Sequence, residues 1–185
     1  MCASEKGLTD VVTKLIAHGA NVNAKDSGNV TALMYACDHG HADIALKLVD
    51  SGADVNMASD KGNTALTCAS EKGLTDVVTK LIAYGADVNA KESDNWTALM
   101  NACIKGHAGI ALKLMDSGAD VNVADDKGST ALTCASEKGL TDVVTKLIAH
   151  GANVNAKDSG NRTSCLLYTS PSPRDQRGSR MPSSA

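Results

Sequence analysis

The chain has 185 residues, of which 43% are apolar, so it is long enough to form one domain with a sizeable core. Residues 1–161 hold 14 Lys against 20 Asp and Glu, whereas residues 162–185 hold all four Arg, and an acidic body argues against nucleic acid as a partner. The first ten residues lack the apolar core of a signal peptide, and no apolar run could span a bilayer. We therefore expect a soluble cytoplasmic protein, or a nuclear one, without a membrane partner.

Glycine and threonine recur along the chain at a fixed spacing of 33 residues. A second period of 66 residues overlies the first, because residues 2–29 are identical to residues 134–161. This self-similarity predicts an array of small repeats, each of which needs neighbours to cover its apolar face. The recurring positions are Thr31, Thr64, Thr97, Thr130 and Thr163, with Gly19, Gly52, Gly85, Gly118 and Gly151.

Each repeat predicts two short helices. In the best-formed repeat, Thr64 is placed to cap the first helix and Gly73 to end it in a left-handed conformation. Thr75 is placed to cap the second helix, and Gly85 follows its last turn. The second helix carries an amphipathic stripe, formed by Val77, Val78, Leu81 and Ile82.

These units resemble ankyrin repeats over residues 2–163. The matching stretches are DDKGSTAL at residues 125–132, the GH pairs at 40–41 and 106–107, and GADVN at 52–56. The resemblance implies an all-α repeat solenoid of stacked helix–turn–helix units with β-hairpin fingers. We expect residues 1–163 to form this array, with a partial repeat at 1–29 and four repeats over about 30–161, truncated at both ends.

The repeats depart from the family pattern at two places. The histidine that usually braces the first turn is replaced by Met34, Thr67, Met100 and Thr133, so its hydrogen bond is expected to be lost or replaced. The finger glycine is replaced in alternate repeats by Asn29, Asn95 and Asn161. Asn tolerates a positive φ better than most residues, so the finger is expected to persist.

Residues 164–185 break the repeat pattern and contain all three prolines. Their sequence, SCLLYTSPSPRDQRGSRMPSSA, resembles the translated read-through of a sequencing adapter. The alternative is a natural disordered tail, which the enrichment in Ser, Pro and Arg also fits.

The sequence offers weak candidates for chemistry. Five cysteines follow the repeats without forming a C-x-x-C pair, which favours buried, reduced thiols over a zinc site. His39 and His41 lie near Asp38 and Asp43, but His41 and its counterpart His107 match the family position that braces the turn between helices. We therefore expect no enzyme activity, metal, cofactor or small-molecule substrate.

The remaining candidate is a surface for a partner protein, which the resemblance places on the finger tips and the exposed side of the first helices. Equivalent repeats differ on this surface at Val30/Trp96 and Asp38/Ile104, which favours Trp96 and Ile104 as two large apolar groups on one exposed face. The alternative is that Trp96 only packs on the adjacent finger. The predicted partner-binding residues are Val30, Asp38, His39, Asn63, Glu71, Lys72, Asp94, Trp96, Ile104, Lys105, Ser129, Glu137 and Lys138.

Two functions fit these observations. The first is a protein–protein interaction module without chemistry of its own. The second is the recognition segment of a longer enzyme, channel or ubiquitin-ligase subunit, which the full open reading frame would reveal. The resemblance also implies possible hydroxylation of the finger asparagines Asn56, Asn89 and Asn122.

Overall fold

The computed structural model describes residues 3–163, so the predicted tail and Cys2 lie outside the described residues. Over this part of the chain none of the helices is long and apolar enough to cross a membrane. The described helices are α1 (Thr9–Ala17), α2 (Ala32–Asp38), α3 (Ala42–Asp50), α4 (Ala65–Lys72), α5 (Thr75–Ala83), α6 (Ala98–Lys105), α7 (Ala108–Asp116), α8 (Ala131–Glu137) and α9 (Thr141–Ala149).

The helices form two layers. The first helices α2, α4, α6 and α8 pack side by side, and so do the second helices α1, α3, α5, α7 and α9. Each first helix also packs against the second helix of its own repeat. The expected all-α repeat solenoid is therefore confirmed.

Small residues let the first helices approach closely. The same position in each first helix is an alanine whose side chain is fully buried: Ala36, Ala69, Ala102 and Ala135. Leu66 and Leu81 of the central repeat are buried as well, one on each helix. Because apolar burial scales with the area removed from water, most of the stability of the array comes from contacts between neighbouring repeats and helices.

The predicted caps of the first helices are confirmed. Thr64 accepts a hydrogen bond from the backbone N–H of Thr67, and Gly73 ends the helix with φ 78°. Thr67 also bonds back to the Thr64 backbone N–H, and Thr133 does the same in the last repeat. The missing histidine is thus replaced by threonine in two repeats.

The predicted cap of the second helix is wrong. Thr75 is the first helical residue, and Leu74 occupies the capping position without a side-chain hydrogen bond. The turn closes within one residue of Gly73, because the Thr75 N–H bonds to the Gly73 carbonyl. This leaves no room for Thr75 to lie outside the helix.

The fingers are tight turns, each with one isolated antiparallel bridge, such as Lys91 to Thr97. A longer β-hairpin ladder is not confirmed. Asn29 and Asn95 adopt φ of 58° and 63°, so asparagine does supply the left-handed residue of the turn. Neighbouring fingers are joined through the backbone, because the Asp126 N–H donates to the Asp94 carbonyl over 3.1 Å.

Asparagines at the base of the fingers join adjacent repeats. The Asn89 side chain donates to the Gly118 carbonyl over 3.2 Å and accepts from the Asp120 N–H over 2.8 Å. Asn56 makes the equivalent bonds to Gly85 and Asp87. Each of these side chains therefore holds its own repeat in register with the next.

Candidate protein-binding surface

None of the thirteen predicted partner-binding residues is buried. They lie on the finger tips and at the C-terminal ends of the first helices. The half-buried members are Val30, Asn63, Glu71, Trp96, Ile104 and Ser129. The exposed members are Asp38, His39, Lys72, Asp94, Lys105, Glu137 and Lys138.

An ion-pair ladder runs across the C-terminal ends of the first helices. The Lys72 ammonium lies 3.4 Å from the Asp38 carboxylate, and the Lys105 ammonium lies 2.9 Å from the Glu71 carboxylate. Each pair joins one repeat to the next. Exposed pairs of this kind contribute at most about 1 kcal/mol each, so the ladder orients side chains more than it stabilises the fold.

Ile104 interrupts this ladder. It occupies the position of Asp38 and Glu71 in the next repeat, where the acidic partner for Lys138 would stand. The Ile104 side chain is half-buried and packs against the core. An apolar surface beside a lysine therefore replaces the third ion pair.

Trp96 lies on the same side of α6 as Ile104. Its indole N–H donates to the Asn101 side-chain oxygen over 2.7 Å, and Asn101 lies one turn before Ile104 on the helix. Trp96 is half-buried and packs against the core. Trp96 and Ile104 therefore each present only part of the side chain to solvent.

The hydrogen bond of Trp96 extends to Glu92. The Asn101 amide donates to the Glu92 carboxylate over 3.0 Å. Partial burial raises the pKa of the Glu92 carboxyl, against the opposing effect of hydrogen bonds from Asn101 and Thr67. This network fixes the orientation of the indole before any partner arrives.

The equivalent positions in the second repeat use different side chains. The Tyr35 hydroxyl donates to the Asp26 carboxylate over 2.7 Å, where Asn101 and Glu92 meet in the fourth repeat. This bond, together with the backbone N–H groups of Val30 and Gly28, lowers the pKa of Asp26. A long donor with a short acid in one repeat thus corresponds to a short donor with a long acid in the other.

A small cavity lies beside Val30. It has a volume of about 140 Å³ and is lined by Asp38 and Asn63, among others. The structure thus brings together three of the predicted surface residues from two adjacent repeats. Tyr35 and Cys68 also line this cavity.

The histidines brace the preceding repeat. The Nε2 atom of His107 lies 3.1 Å from the Glu71 carbonyl oxygen, and His41 pairs with the Glu5 carbonyl over 3.0 Å. A Cβ atom on Gly73 would come within 2.6 Å of the His107 ring. The bracing role is therefore confirmed, although the turn that is braced belongs to the repeat before.

The described cysteines are unreactive. Cys37, Cys68, Cys103 and Cys134 are buried and unpaired. Burial raises the pKa of the Cys68 and Cys134 thiols to about 12. In residues 3–163 no group of three or more His, Cys, Asp or Glu side chains could hold a metal ion.

Glu92 and Asn101 are part of the surface but were missed from the sequence. The signal was present, because Asn101 and Tyr35 replace the cysteine found at this position in the intervening repeats. A polar residue at a position that is otherwise Cys68 or Cys134 indicates a partner nearby, since buried polar groups are hydrogen-bonded.

A family model for ankyrin repeats, with three copies, matches residues 1–92 and 89–158. Among curated proteins no relative matches the chain. Repeats of this family are generally protein–protein interaction modules and typically act as scaffolds without enzyme activity. The period, the capped helix pairs and the family match agree, and the chain belongs to the ankyrin repeat family.

Proposed function

We propose that the array binds a protein partner at a patch formed by Trp96, Ile104 and Lys138. The observation that carries this proposal is the break in the ion-pair ladder at Ile104. The repeats on either side hold an acidic residue at this position, Glu71 and Glu137. An isoleucine there gives up an inter-repeat ion pair and presents an apolar surface instead.

The patch indicates the chemistry of the partner. An aliphatic or aromatic side chain packs on Ile104 beside the Trp96 indole, and a carboxylate accepts from the Lys138 ammonium. Trp side chains are enriched among residues that anchor interfaces. Since Asn101 already holds the indole, little side-chain entropy is lost when the partner binds.

The other predicted residues form the rim of this surface. Lys105 and Glu71 pair with each other beside the patch, and Asp94 lies on the finger next to Trp96. Charges at the rim of an interface steer association and fix orientation more than they add affinity. The proposal therefore assigns affinity to the patch and orientation to the ladder.

The test uses a random peptide library displayed on phage as the probe. We expect the enriched peptides to pair an aromatic or aliphatic residue with a nearby Asp or Glu. Ile104→Glu extends the ladder to Lys138 and should weaken peptide binding at least tenfold, or about 1.4 kcal/mol. Trp96→Ala should weaken it to a similar degree.

Asp38→Asn is the matched control, because it changes the same helix position in another repeat. It should leave peptide affinity unchanged. Equal affinity of the wild type, Ile104→Glu and Trp96→Ala would overturn the proposal, as would an equal loss in Asp38→Asn. Ile104→Glu should fold normally, since Glu71 and Glu137 occupy this position in the adjacent repeats.

A further inference from the structure

Residues 30–63 form a complete repeat whose N-terminal side is incompletely covered. A groove of about 340 Å³ opens between α1 and α2, and its lining includes Leu15, Ala32 and Tyr35. Ala32 is half-exposed, whereas its counterpart Ala98 is only 1% exposed. The difference arises because Ala98 follows a repeat with both helices, whereas Ala32 follows residues 3–29, where only α1 is present.

The last repeat carries the surface that fits residues 30–63. Residues 134–161 are identical to residues 2–29, which already pack on that repeat. They also include the end of α8, and α8 carries the buried Leu132. Residues 3–29 have no counterpart of Leu132, so residues 131–161 would cover the groove more fully.

The hydrogen bonds of this interface occur twice in the array. The Glu5 carbonyl pairs with His41, and the Asn29 amide donates to the Asp60 carboxylate over 2.6 Å. The same bonds join Glu71 to His107 and Asn95 to Asp126. The corresponding groups of the last repeat belong to Glu137 and Asn161.

The surface of the last repeat that would make these contacts is open in the part of the chain that the structure describes. Ile148 on α9 is 48% exposed, and its identical counterparts Ile16 and Ile82 are half-buried against the next repeat. Val154 on the following turn is exposed as well, whereas Val22 and Val88 are half-buried. An apolar edge with this pattern is the surface that a following repeat covers.

We propose that two copies of this chain associate end to end. Residues 131–161 of one copy take the place of residues 3–29 on residues 30–63 of the next copy. The exchange replaces a partial repeat by a complete one and keeps the hydrogen bonds and side chains of an interface already present twice. It is a domain swap between identical sequences, and it fills the groove with the Leu132 turn.

The swap has two consequences. The displaced residues compete from within their own chain at a high effective concentration, so association requires concentrated protein. Each added copy also retains an open last repeat. The interface is therefore heterologous and yields a series of growing species instead of a closed dimer.

Sedimentation velocity on the full chain over a range of concentrations tests the proposal. We expect a monomer in dilute solution and an average mass that rises with concentration. Ile148→Lys places a charge on the docking surface, and it should keep the chain monomeric throughout. Because Ile148 is already exposed, this variant should retain the circular dichroism spectrum of the wild type.

Leu15→Lys is the matched variant on the identical helix at the other end. Leu15 lies in the groove and is displaced in the swap, so this variant should associate at least as strongly as the wild type. A monomeric Leu15→Lys would overturn the proposal, because it would mean that the two open ends meet directly. A monomeric wild type at every concentration would also overturn it, as when residues 164–185 cover the last repeat of their own chain.

Hydrogen exchange supplies an independent readout. On association the backbone amides of α1 should lose protection in the wild type and in Leu15→Lys, because residues 3–29 are displaced. The amides of α5 should keep their protection under the same conditions. Association with unchanged protection of α1 would contradict the exchange of repeats.

Discussion

The sequence TDVVTKLIA forms three helices of this array, α1, α5 and α9, in three different surroundings. In the interior helix Leu81 is fully buried, whereas its counterpart Leu15 in α1 is 51% exposed. The last helix differs on its other side, where Ile148 is exposed and Leu147 is fully buried. Identical sequences thus acquire a core only where a neighbouring repeat supplies it, as expected of a quasi-one-dimensional fold.

The largest test of this comparison is the truncation of the same leucine in two helices. Leu81→Ala should lower the free energy of unfolding by about 3 kcal/mol, because it leaves a cavity in a packed interface. Leu15→Ala removes a side chain that is half in water, and should cost less than about 1 kcal/mol. Urea denaturation followed by circular dichroism measures both values.

Leu147→Ala is the control for this pair, because Leu147 is fully buried in the last helix. It should resemble Leu81→Ala, since α8 covers it within its own repeat. Equal losses in Leu15→Ala and Leu81→Ala would show that the helix itself, and not its neighbours, sets the contribution of this leucine.

The same comparison explains which features could be predicted from the sequence. The period, the Thr64 cap and the Gly73 stop depend on local geometry and recur, so the repeats and their first helices were predicted correctly. Thr75 was assigned as a cap because its side chain suits that role. The short turn after Gly73 instead makes it the first helical residue, and no propensity encodes this turn length.

The candidate surface shows the limit more clearly. Its location follows from the pattern of the repeats, but the exposure of Trp96 depends on one hydrogen bond to Asn101, five residues away. The ladder at Asp38 and Glu71 joins residues 34 positions apart. Such contacts depend on how repeats stack and on which rotamer each side chain takes, and the sequence pattern states neither.

A second test compares a glycine in the interior with its counterpart at the end. Gly73 has φ 78° and lies against the His107 ring, whereas Gly139 has φ 67° and no neighbouring atom within 4 Å of the position that a Cβ would take. Gly139→Ala should cost roughly 1 kcal/mol, from the left-handed backbone alone. Gly73→Ala should cost about 2–3 kcal/mol in all, because it also displaces His107 from the Glu71 carbonyl.

Gly40→Ala separates these two contributions. Gly40 is in the interior with φ 78°, but no atom lies close to the position that its Cβ would take. Its loss of unfolding free energy should match that of Gly139→Ala in the same urea titrations. A loss as large as that of Gly73→Ala would assign the effect to position in the array and not to the histidine.

The smallest test concerns the asparagines that join the repeats. Asn89 bonds to Gly118 and Asp120 of the next repeat, whereas its counterpart Asn155 has no following repeat in the described residues. Asn89→Ala should lower the free energy of unfolding by about 1–2 kcal/mol, since each hydrogen bond contributes about 1 kcal/mol or less at this exposed site. Asn155→Ala should change it by less than about 0.5 kcal/mol.

Asn56→Ala provides the replicate, because Asn56 makes the same two bonds one repeat earlier. Hydrogen exchange at the amide of Asp120 gives a second readout, since this N–H donates to Asn89. It should exchange faster in Asn89→Ala and at the wild-type rate in Asn155→Ala. Faster exchange without a loss of stability would mean that water replaces the asparagine at no cost, so that these side chains set the register of the repeats while apolar burial alone holds them together.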